Sequence, residues 1–231
     1  KGSNRTVEDF VNFTDLAPTF LEAAGVKQIT PIMQPVSGRS LFDIFASPKS
    51  GQVIASRDHV LLGKERHDVG RPNNGGYPIR GIRKGDHLYL HNFEPDRWPG
   101  GNPETGYLNC DASPIKTQLL NQRRAGDYKF WQMNFGKRPI EELFNVKANR
   151  DCVKDLAQSK AQAKLKAALK TQLFSELKEQ GDPRMFGRGA VFDQYGFASE
   201  MWNNFYEKFQ RGQKIRTGWV LPSDYEKEKL D

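Results

Sequence analysis

The chain has 231 residues, of which 37% are hydrophobic and 27% are charged, a composition typical of a soluble globular protein. No apolar run is long enough to cross a bilayer, and no Cys/His cluster has the spacing of a zinc site. The formal net charge of +7 favours an anionic partner, such as nucleic acid, an acidic surface or a sulfated or phosphorylated substrate.

The first predicted helix begins at Thr14, which is a good N-cap, and ends at Gly25. A connection rich in Pro and Gly follows over residues 26–40, and a short apolar segment occupies residues 41–45. Residues 53–63 are predicted to form a strand, because apolar side chains dominate both of its ends. This strand would deliver a block of charged residues at its carboxyl end.

The charged block over residues 64–71 is the first candidate site. Its polar side chains are Lys64, Glu65, Arg66, His67, Asp68 and Arg71. Arginine can donate two hydrogen bonds to a sulfate or carboxylate, the acidic residues can accept from sugar hydroxyls, and histidine can do either. A solvated surface turn is the alternative interpretation, since charge runs usually face water.

Residues 77–92 alternate as in an antiparallel hairpin with one wet face, and its tight turn lies at residues 84–86. The loop over residues 93–113 is long for a passive connection and is therefore a second candidate site. It contains Asp96, Arg97 and Trp98, which together suit the binding of a polar ring. Trp98 is equally well explained as an anchor that packs this loop on the core.

Further elements follow in the second half of the chain. We expect a short helix at residues 115–124, a strand at 139–145 and the clearest helix at 159–180, with apolar residues on one face and lysines on the other. In the tail, four aromatic residues at helical spacing favour a core-packing stripe over a stacking platform; they are Trp202, Phe205, Tyr206 and Phe209. Cys110 and Cys152 fit either one disulfide or two free thiols.

Four segments together resemble one known family. They are VNFTDLAPTFLEAAGV at 11–26, GRSL at 38–41, GYPIRGIRKGDHLYLHNFEPDRWP at 76–99 and PIEELFNVKANRDCVKDLA at 139–157. Their sequence and order resemble the carboxyl-terminal part of the type I sulfatases, which are formylglycine-dependent enzymes with an alkaline-phosphatase-like fold. ERHD at 65–68, followed by YPIR at 77–80, is most similar to the heparan N-sulfatase (sulfamidase) branch.

The resemblance implies an α/β fold, namely the C-terminal part of an alkaline-phosphatase-like sulfatase fold with a small antiparallel sheet packed by a helix. Residues 1–75 would be the last part of the large α/β domain. Residues 76–181 would form the antiparallel-sheet subdomain with its helix at 159–180, and residues 182–231 an aromatic-rich C-terminal extension. The resemblance also implies export to the periplasm, the extracellular space or the lysosome, where Cys110 and Cys152 could pair.

The implied function is recognition of a sulfated carbohydrate by a sulfatase that hydrolyses sulfate esters or N-sulfate groups, including those of heparan-type N-sulfoglucosamine. The substrate-binding residues would be Lys64, Glu65, Arg66, His67, Asp68, Arg71, Asp96, Arg97 and Trp98. The chain has no Cys/Ser-x-Pro-x-Arg motif from which formylglycine is made, so no catalytic residue is assigned. Formylglycine and the calcium ligands would lie in an amino-terminal catalytic half, and these residues alone would be inactive.

Two other functions remain open at this point. The net charge and the lysines of the 159–180 helix fit a non-enzymatic module that binds anions, glycosaminoglycans or nucleic acid. A phosphoryl-transfer enzyme of the same superfold would instead carry a Thr or Ser nucleophile and zinc ligands in the amino-terminal half. The sulfatase hypothesis predicts no metal ligands in this chain, no nucleic-acid partner and no membrane contact.

Overall fold

The computed structural model describes residues 4–26 and 36–230. Four strands are present: β1 His59–Lys64, β2 Ile79–Lys84, β3 His87–Asn92 and β4 Glu141–Asn145. The helices are α1 Leu16–Ala23, α2 Phe42–Ala46, α3 Pro114–Arg124, α4 Lys129–Phe135, α5 Ala163–Glu179, α6 Val191–Gln194 and α7 Phe205–Gln210. The predicted α/β class with a small antiparallel sheet is confirmed, and its strand order is β1-β2-β3-β4.

The predicted hairpin is confirmed as β2 and β3, and the helices expected at 115–124 and 159–180 are α3 and α5. The predicted strand at 53–63 was wrong in its first half, since β1 begins only at His59. Val53 and Ile54 donate their backbone N–H groups to the carboxylate of Asp9, at 2.7 Å each, instead of to a neighbouring strand. A contact so distant in sequence leaves no trace in local periodicity.

The chain divides into two compact units. The first contains the residues up to 61 together with 82–87, and the second contains residues 62–81 and 88 onwards. The division of the whole protein at residues 75 and 181 stays a prediction. Part of the 26–40 connection lies outside the described residues.

In the first unit, Asn12 begins the first helical segment, and Thr14 is therefore not the N-cap that we expected. The Asn12 side chain accepts from Thr14 N while its backbone N–H donates to Asp15, which forms a capping box. A short 3-10 turn, Phe13–Asp15, leads into α1. Gly25 ends the helix as predicted, with a φ of +66°.

The DLAPT and GRSL motifs of the first unit bond to each other. Asp15 pairs with the guanidinium of Arg57 at 2.8 Å and accepts from the backbone N–H of Arg39. Thr19 accepts from the N–H of Leu41. At Gly38 a Cβ atom would lie 2.0 Å from the carbonyl oxygen of Thr14, so no other residue fits there. These two motifs therefore have a structural role.

In the second unit, helix α5 packs across one face of the sheet. Its core-facing residues Leu169, Leu173 and Leu177 are buried, as the periodicity predicts. On the sheet side of this contact, Glu141 of β4 accepts hydrogen bonds from Tyr89 of β3 at 2.8 Å and from Lys166 of α5 at 3.1 Å. Lys170 also pairs with Glu141, at 3.1 Å, so two lysines of the helix are tied to the sheet instead of facing water.

The expectation of one wet face on the hairpin was wrong. Arg80, which should have faced water, is only 7% exposed because it enters an ion-pair network. On β3, Tyr89 contacts Glu141, while the side chains on the alternate face, Leu88 and Leu90, line a cleft described below. One face of the hairpin therefore packs against other residues, and the other face lines a cleft.

The tail folds back on the second unit and supplies core. Phe205 of α7 joins Val69, Leu108 and Val220 in one buried cluster, against which Trp202 and Phe209 pack. The predicted core-packing stripe is confirmed for Trp202, Phe205 and Phe209, whereas Tyr206 is not part of this cluster and donates to Glu104. Cys110 and Cys152 are both free thiols. Among residues 4–26 and 36–230, no helix is long and apolar enough to cross a membrane.

Candidate functional site

The carboxyl end of β1 opens into the charged block, where Glu65 is held by two arginines. Arg80 donates to Glu65 Oε1 at 2.6 Å, and Arg184 donates to both oxygens at 2.7 Å. Arg80 also pairs with Asp182 at 2.5 Å. A carboxylate that already accepts three charge-assisted hydrogen bonds has few acceptor sites left for a sugar hydroxyl, so the role of Glu65 is structural.

Arg66 contacts the tail. It donates to the backbone carbonyls of Tyr195 and Gly196 at 2.8 and 3.2 Å, and its guanidinium lies 5.8 Å from the centre of the Phe197 ring. These acceptors are neutral, and no carboxylate in the part of the chain that the structure describes pairs with Arg66. Of the neighbouring residues, His67 is exposed.

Asp68 is half-buried and accepts from the N–H of Val69 at 2.8 Å. Burial raises the pKa of Asp68, although this hydrogen bond opposes the shift. A raised pKa makes this carboxyl group easier to protonate than an exposed aspartate. As the pH falls, protonation of Asp68 would therefore reduce the negative charge that it places near this block.

Arg71 is 2% exposed, and backbone carbonyls hold its side chain. Its Nε donates to the carbonyl of Trp98 at 2.8 Å and its Nη2 to the carbonyl of Pro99 at 2.9 Å. Burial, together with the nearby charge of Arg97, lowers the pKa of Arg71 to about 10. The group stays a cation at neutral pH, and no ion pair among the described residues compensates it.

Lys64 lies on the same aromatic ring as Arg71. Its Nζ is 5.6 Å from the centre of the Tyr77 ring, and the Cζ of Arg71 is 5.9 Å from it. Burial and then the charge of Arg71 lower the pKa of Lys64. Within the described part of the chain, Lys64 forms no ion pair or hydrogen bond through its ammonium group.

A further donor lies beside these two cations. Asn109 Oδ1 faces Arg71 Nη1 at 3.5 Å, and its buried Nδ2 has no hydrogen-bond partner among the described residues. Two uncompensated cations and an unused amide donor form a site whose chemistry favours an anion with several acceptor oxygens. We call Lys64, Arg71, Tyr77 and Asn109 the cation cluster.

A cleft of about 480 Å³ adjoins the cluster at Arg71. It brings the two candidate segments together, because Asp96, Arg97 and Trp98 also line it. Asp96 is exposed, whereas Trp98 is only 6% exposed and packs in a core cluster with Trp131. Little of the Trp98 ring is therefore available to a ligand, and its placement agrees with the loop-anchor alternative.

Arg97 is compensated, unlike Arg71. It pairs with Asp193 at 2.9 Å and donates to the carbonyl of Gly76 at the same distance. Although burial opposes it, the hydrogen bonds from Arg97 and Gly76 lower the pKa of Asp193, which keeps this carboxylate charged.

Three residues of the site were absent from the sequence prediction, namely Tyr77, Asn109 and Asp193. Tyr77 was assigned to the hairpin alone, and Asp193 comes from the tail, 96 residues away from its partner Arg97. The YPIR motif carried the one usable signal, since it places Tyr77 beside the first hairpin strand. No pattern pointed to Asn109.

The described residues do not fit the calcium ion of the sulfatase resemblance. In residues 4–26 and 36–230, no three His, Cys, Asp or Glu side chains are grouped so as to hold a metal ion. Of the acidic residues of the site, Glu65 and Asp193 pair with arginines, and Asp68 accepts from a backbone N–H. No metal chemistry is therefore derived from them.

Comparison with known proteins gives similar structures but no family match. No protein-family model matches the chain, and a search of curated proteins found no similar one. Among solved structures, BT4656 in complex with its substrate, D-glucosamine-2-N,6-O-disulfate, is 17% identical over 73% of this chain, with a TM-score of 0.43. BT1596, a 2-O glycosaminoglycan sulfatase, is 17% identical over 74% of it, with a TM-score of 0.42.

A third structure, from Bacteroides thetaiotaomicron VPI-5482 and assigned to the sulfatases, has the same identity, coverage and TM-score as BT1596. The chain spans about a quarter of the length of these proteins, at 24–25%. At TM-scores below 0.5, the likeness carries no argument about the fold, activity or substrate of this chain.

Proposed function

We propose that this chain is the substrate-recognising, C-terminal part of a sulfatase that hydrolyses sulfate ester or N-sulfate groups of a sulfated glycan. The four segments that resemble type I sulfatases support the family assignment. Polar residues within them have physical roles here, as in the Asp15–Arg57 pair and in Asp155, which accepts from Leu143 N and Ala157 N after β4.

The observation that carries the proposal is the cation cluster. Lys64 and Arg71 are desolvated and share the Tyr77 ring, yet neither is paired with a carboxylate in the described part of the chain. An uncompensated cation is costly to bury, and a bound sulfate would offset that cost. The oxygens of a sulfate can accept from an ammonium group, a guanidinium and the Asn109 amide together.

The adjoining cleft supplies room for a sugar ring. Its volume of about 480 Å³ lies in the range of small-molecule sites, and Asn73, Asp96 and Asn102 offer polar groups to hydroxyls at its wall. We propose N-sulfoglucosamine of the heparan type as the unit bound there, because of the ERHD and YPIR resemblance. Export of the whole protein to the periplasm, the extracellular space or the lysosome is part of the same proposal.

These residues bind and orient; they do not cleave. Formylglycine, the family's nucleophile, and its calcium ion would be held by an amino-terminal half, and together they would supply attack on sulfur. The cations of the cluster would hold the sulfated unit in register for that step. We therefore expect no sulfate release from these 231 residues alone.

The lysines of α5 weigh against the non-enzymatic basic module. Lys166 and Lys170 both pair with Glu141 at 3.1 Å, which leaves Lys160 and Lys164 as the exposed positive charges around the start of this helix. Non-specific binding to a polyanion gains from many free cations along one face. No observation favours the phosphoryl-transfer alternative.

Calorimetric titration of this chain with N-sulfoglucosamine and with N-acetylglucosamine tests the proposal. We expect saturable binding of the sulfated sugar only, and a loss of affinity of about tenfold or more in Lys64→Met, which removes the charge but keeps the apolar stem. Lys164→Gln on the exposed face of α5 is the matched control and should bind as the unmodified chain does. Equal affinity for both sugars would overturn the assignment.

Heparin binding separates the proposal from the basic module. The proposal predicts that Lys64→Met weakens binding to heparin and that Lys164→Gln does not. The opposite pattern would show that the α5 lysines, and not the cation cluster, contact the polyanion. In the complete enzyme, Lys64→Met should raise KM for the sulfated sugar more than it lowers kcat.

A further inference from the structure

A second cleft, of about 580 Å³, lies on the sheet face opposite α5 and is closed by α4. It belongs wholly to the second unit. Much of its wall is apolar, and the apolar side chains come from β2, β3, α4 and β4; they are Ile79, Leu88, Leu90, Phe130, Met133 and Phe144. A mostly apolar cleft with a few converging polar groups is the usual form of a small-ligand site.

Two polar atoms in the wall of this cleft lack partners. Tyr77 and Asn92 are each 1% exposed, and both Tyr77 Oη and Asn92 Oδ1 are without a hydrogen bond among the described residues. A buried polar atom left in this state costs about 1–3 kcal/mol, so two in one cleft indicate that something else bonds to them. Burial raises the pKa of Tyr77 to about 12, so its hydroxyl stays neutral.

A buried carboxylate lies beside these atoms. Glu142 is 7% exposed, and its Oε2 accepts from Asn92 Nδ2 at 2.9 Å. No ion pair in residues 4–26 and 36–230 includes Glu142, so its charge lacks a counterion there. Burying a carboxylate without a cation is unfavourable, and a cationic ligand would remove that cost.

The charges around the cleft have the same preference. Asp151 and Asp155 line it together with Glu142, against the single guanidinium of Arg138. Arg138 is engaged in part, since it donates to the carbonyl of Met133. The three acidic groups and one basic group of the lining favour a cation over an anion, although Arg71, 5.9 Å from the centre of the Tyr77 ring, opposes them in part.

We propose that this cleft binds a small amphipathic amine. Its ammonium group would pair with Glu142 and donate to Asn92 Oδ1 and Tyr77 Oη. Its apolar body would lie against Leu88, Leu90 and Phe130. The two sites share Tyr77, but this inference requires neither Lys64 nor Arg71 to bind an anion.

Three probes of equal shape test the charge preference: 2-phenylethylamine, 2-phenylethanol and phenylacetate. Ligand-observed NMR on this chain gives binding, and calorimetry gives the dissociation constant. We expect saturable binding of the amine with a dissociation constant below about 1 mM, at least about tenfold weaker binding of the alcohol, and none of phenylacetate.

Two near-isosteric variants then locate the amine. Glu142→Gln keeps an oxygen for Asn92 Nδ2 but removes the charge, and it should weaken amine binding by about tenfold or more. Tyr77→Phe removes one hydroxyl and should weaken binding by about threefold to tenfold. The control Lys164→Gln should leave it unchanged, and the thermal midpoints of all three variants verify folding.

Several outcomes would overturn the inference. They are equal binding of all three probes, no saturable amine binding up to about 10 mM, or full retention of affinity in folded Glu142→Gln. Lys64→Met distinguishes this site from the first, because it should weaken sulfated-sugar binding by about tenfold or more and leave amine binding intact. Failure of either site would therefore be visible without failure of the other.

Discussion

Two regions of this protein each contain a deeply buried arginine, and the two arginines differ in whether a carboxylate compensates the charge. In the first unit, Arg57 pairs with Asp15 and donates to the carbonyls of Arg39 and Ser40, so that charge and hydrogen bonds are both satisfied. In the second unit, Arg71 has only neutral acceptors and shares the Tyr77 ring with Lys64. The first arrangement stabilises a fold, whereas the second retains an attraction for an anion.

The largest expected change in the free energy of unfolding comes from breaking the buried Asp15–Arg57 pair. Arg57→Met leaves Asp15 buried without its cation, which should lower the free energy of unfolding by about 3–5 kcal/mol. Urea denaturation measures the change. Lys84→Met, at the exposed pair with Asp58, is the control and should cost about 1 kcal/mol or less. Similar losses in the two variants would contradict the distinction between buried and exposed pairs.

A second carboxylate with compensating partners is Glu141, and protonation by acid should weaken its contacts. Burial opposes the shift, but hydrogen bonds from Tyr89, Lys166 and Lys170 lower the pKa of Glu141 to about 2. A depressed folded pKa contributes stability above the unfolded value of 4.5 that is lost as the pH falls towards 2. Between pH 7 and about pH 3 the loss from this group should be about 2 kcal/mol.

Glu141→Gln isolates that contribution. Because the amide does not titrate, the variant should lose about 2 kcal/mol less than the unmodified chain when urea denaturation is compared at pH 7 and about pH 3. Parallel losses in the two proteins would show that Glu141 does not respond to pH as its contacts imply.

An effect of the opposite sign is expected at the cation cluster. Lys64→Met removes a desolvated, unpaired ammonium group, so the free energy of unfolding should stay unchanged or rise by up to about 1 kcal/mol. The same substitution should weaken binding of the sulfated sugar by about tenfold or more. A destabilised Lys64→Met would show that the lysine contributes to folding, and the contrast with Arg57 would then fail.

The smallest expected effect is at His67, which is exposed. His67→Ala should change the free energy of unfolding by less than about 0.5 kcal/mol. The variant should bind N-sulfoglucosamine about threefold more weakly by calorimetry, and unchanged affinity would remove His67 from the proposed substrate-binding residues.

The sequence alone predicted those parts of the fold that rest on local periodicity. The hairpin, α3 and α5 are present with bounds within a few residues, since alternation and helical spacing act over neighbouring residues. The start of β1 was wrong because Asp9, 44 residues away, takes the backbone N–H of Val53. Long-range side-chain contacts of this kind have no local pattern.

Sequence alone was limited in the same way for the candidate site, as the charged block over residues 64–71 shows. Sequence reasoning treated Glu65 and Arg71 as equivalent candidates, and the partners that separate them are distant. Arg184, which holds Glu65, lies 119 residues further along the chain. Composition indicates that a stretch is charged, but only the fold shows which of those charges are already compensated.

The tail has a consequence for selectivity. Asp182 and Asp193 come from a segment without charge runs, and each neutralises one arginine near the strand end, Arg80 and Arg97. Without them, the proposed anion site would lie beside two further uncompensated arginines. By pairing with Arg80 and Arg97, the tail limits the uncompensated positive charge near the end of β1 to Lys64, Arg66 and Arg71 among the described residues, which lowers the affinity of this surface for polyanions in general.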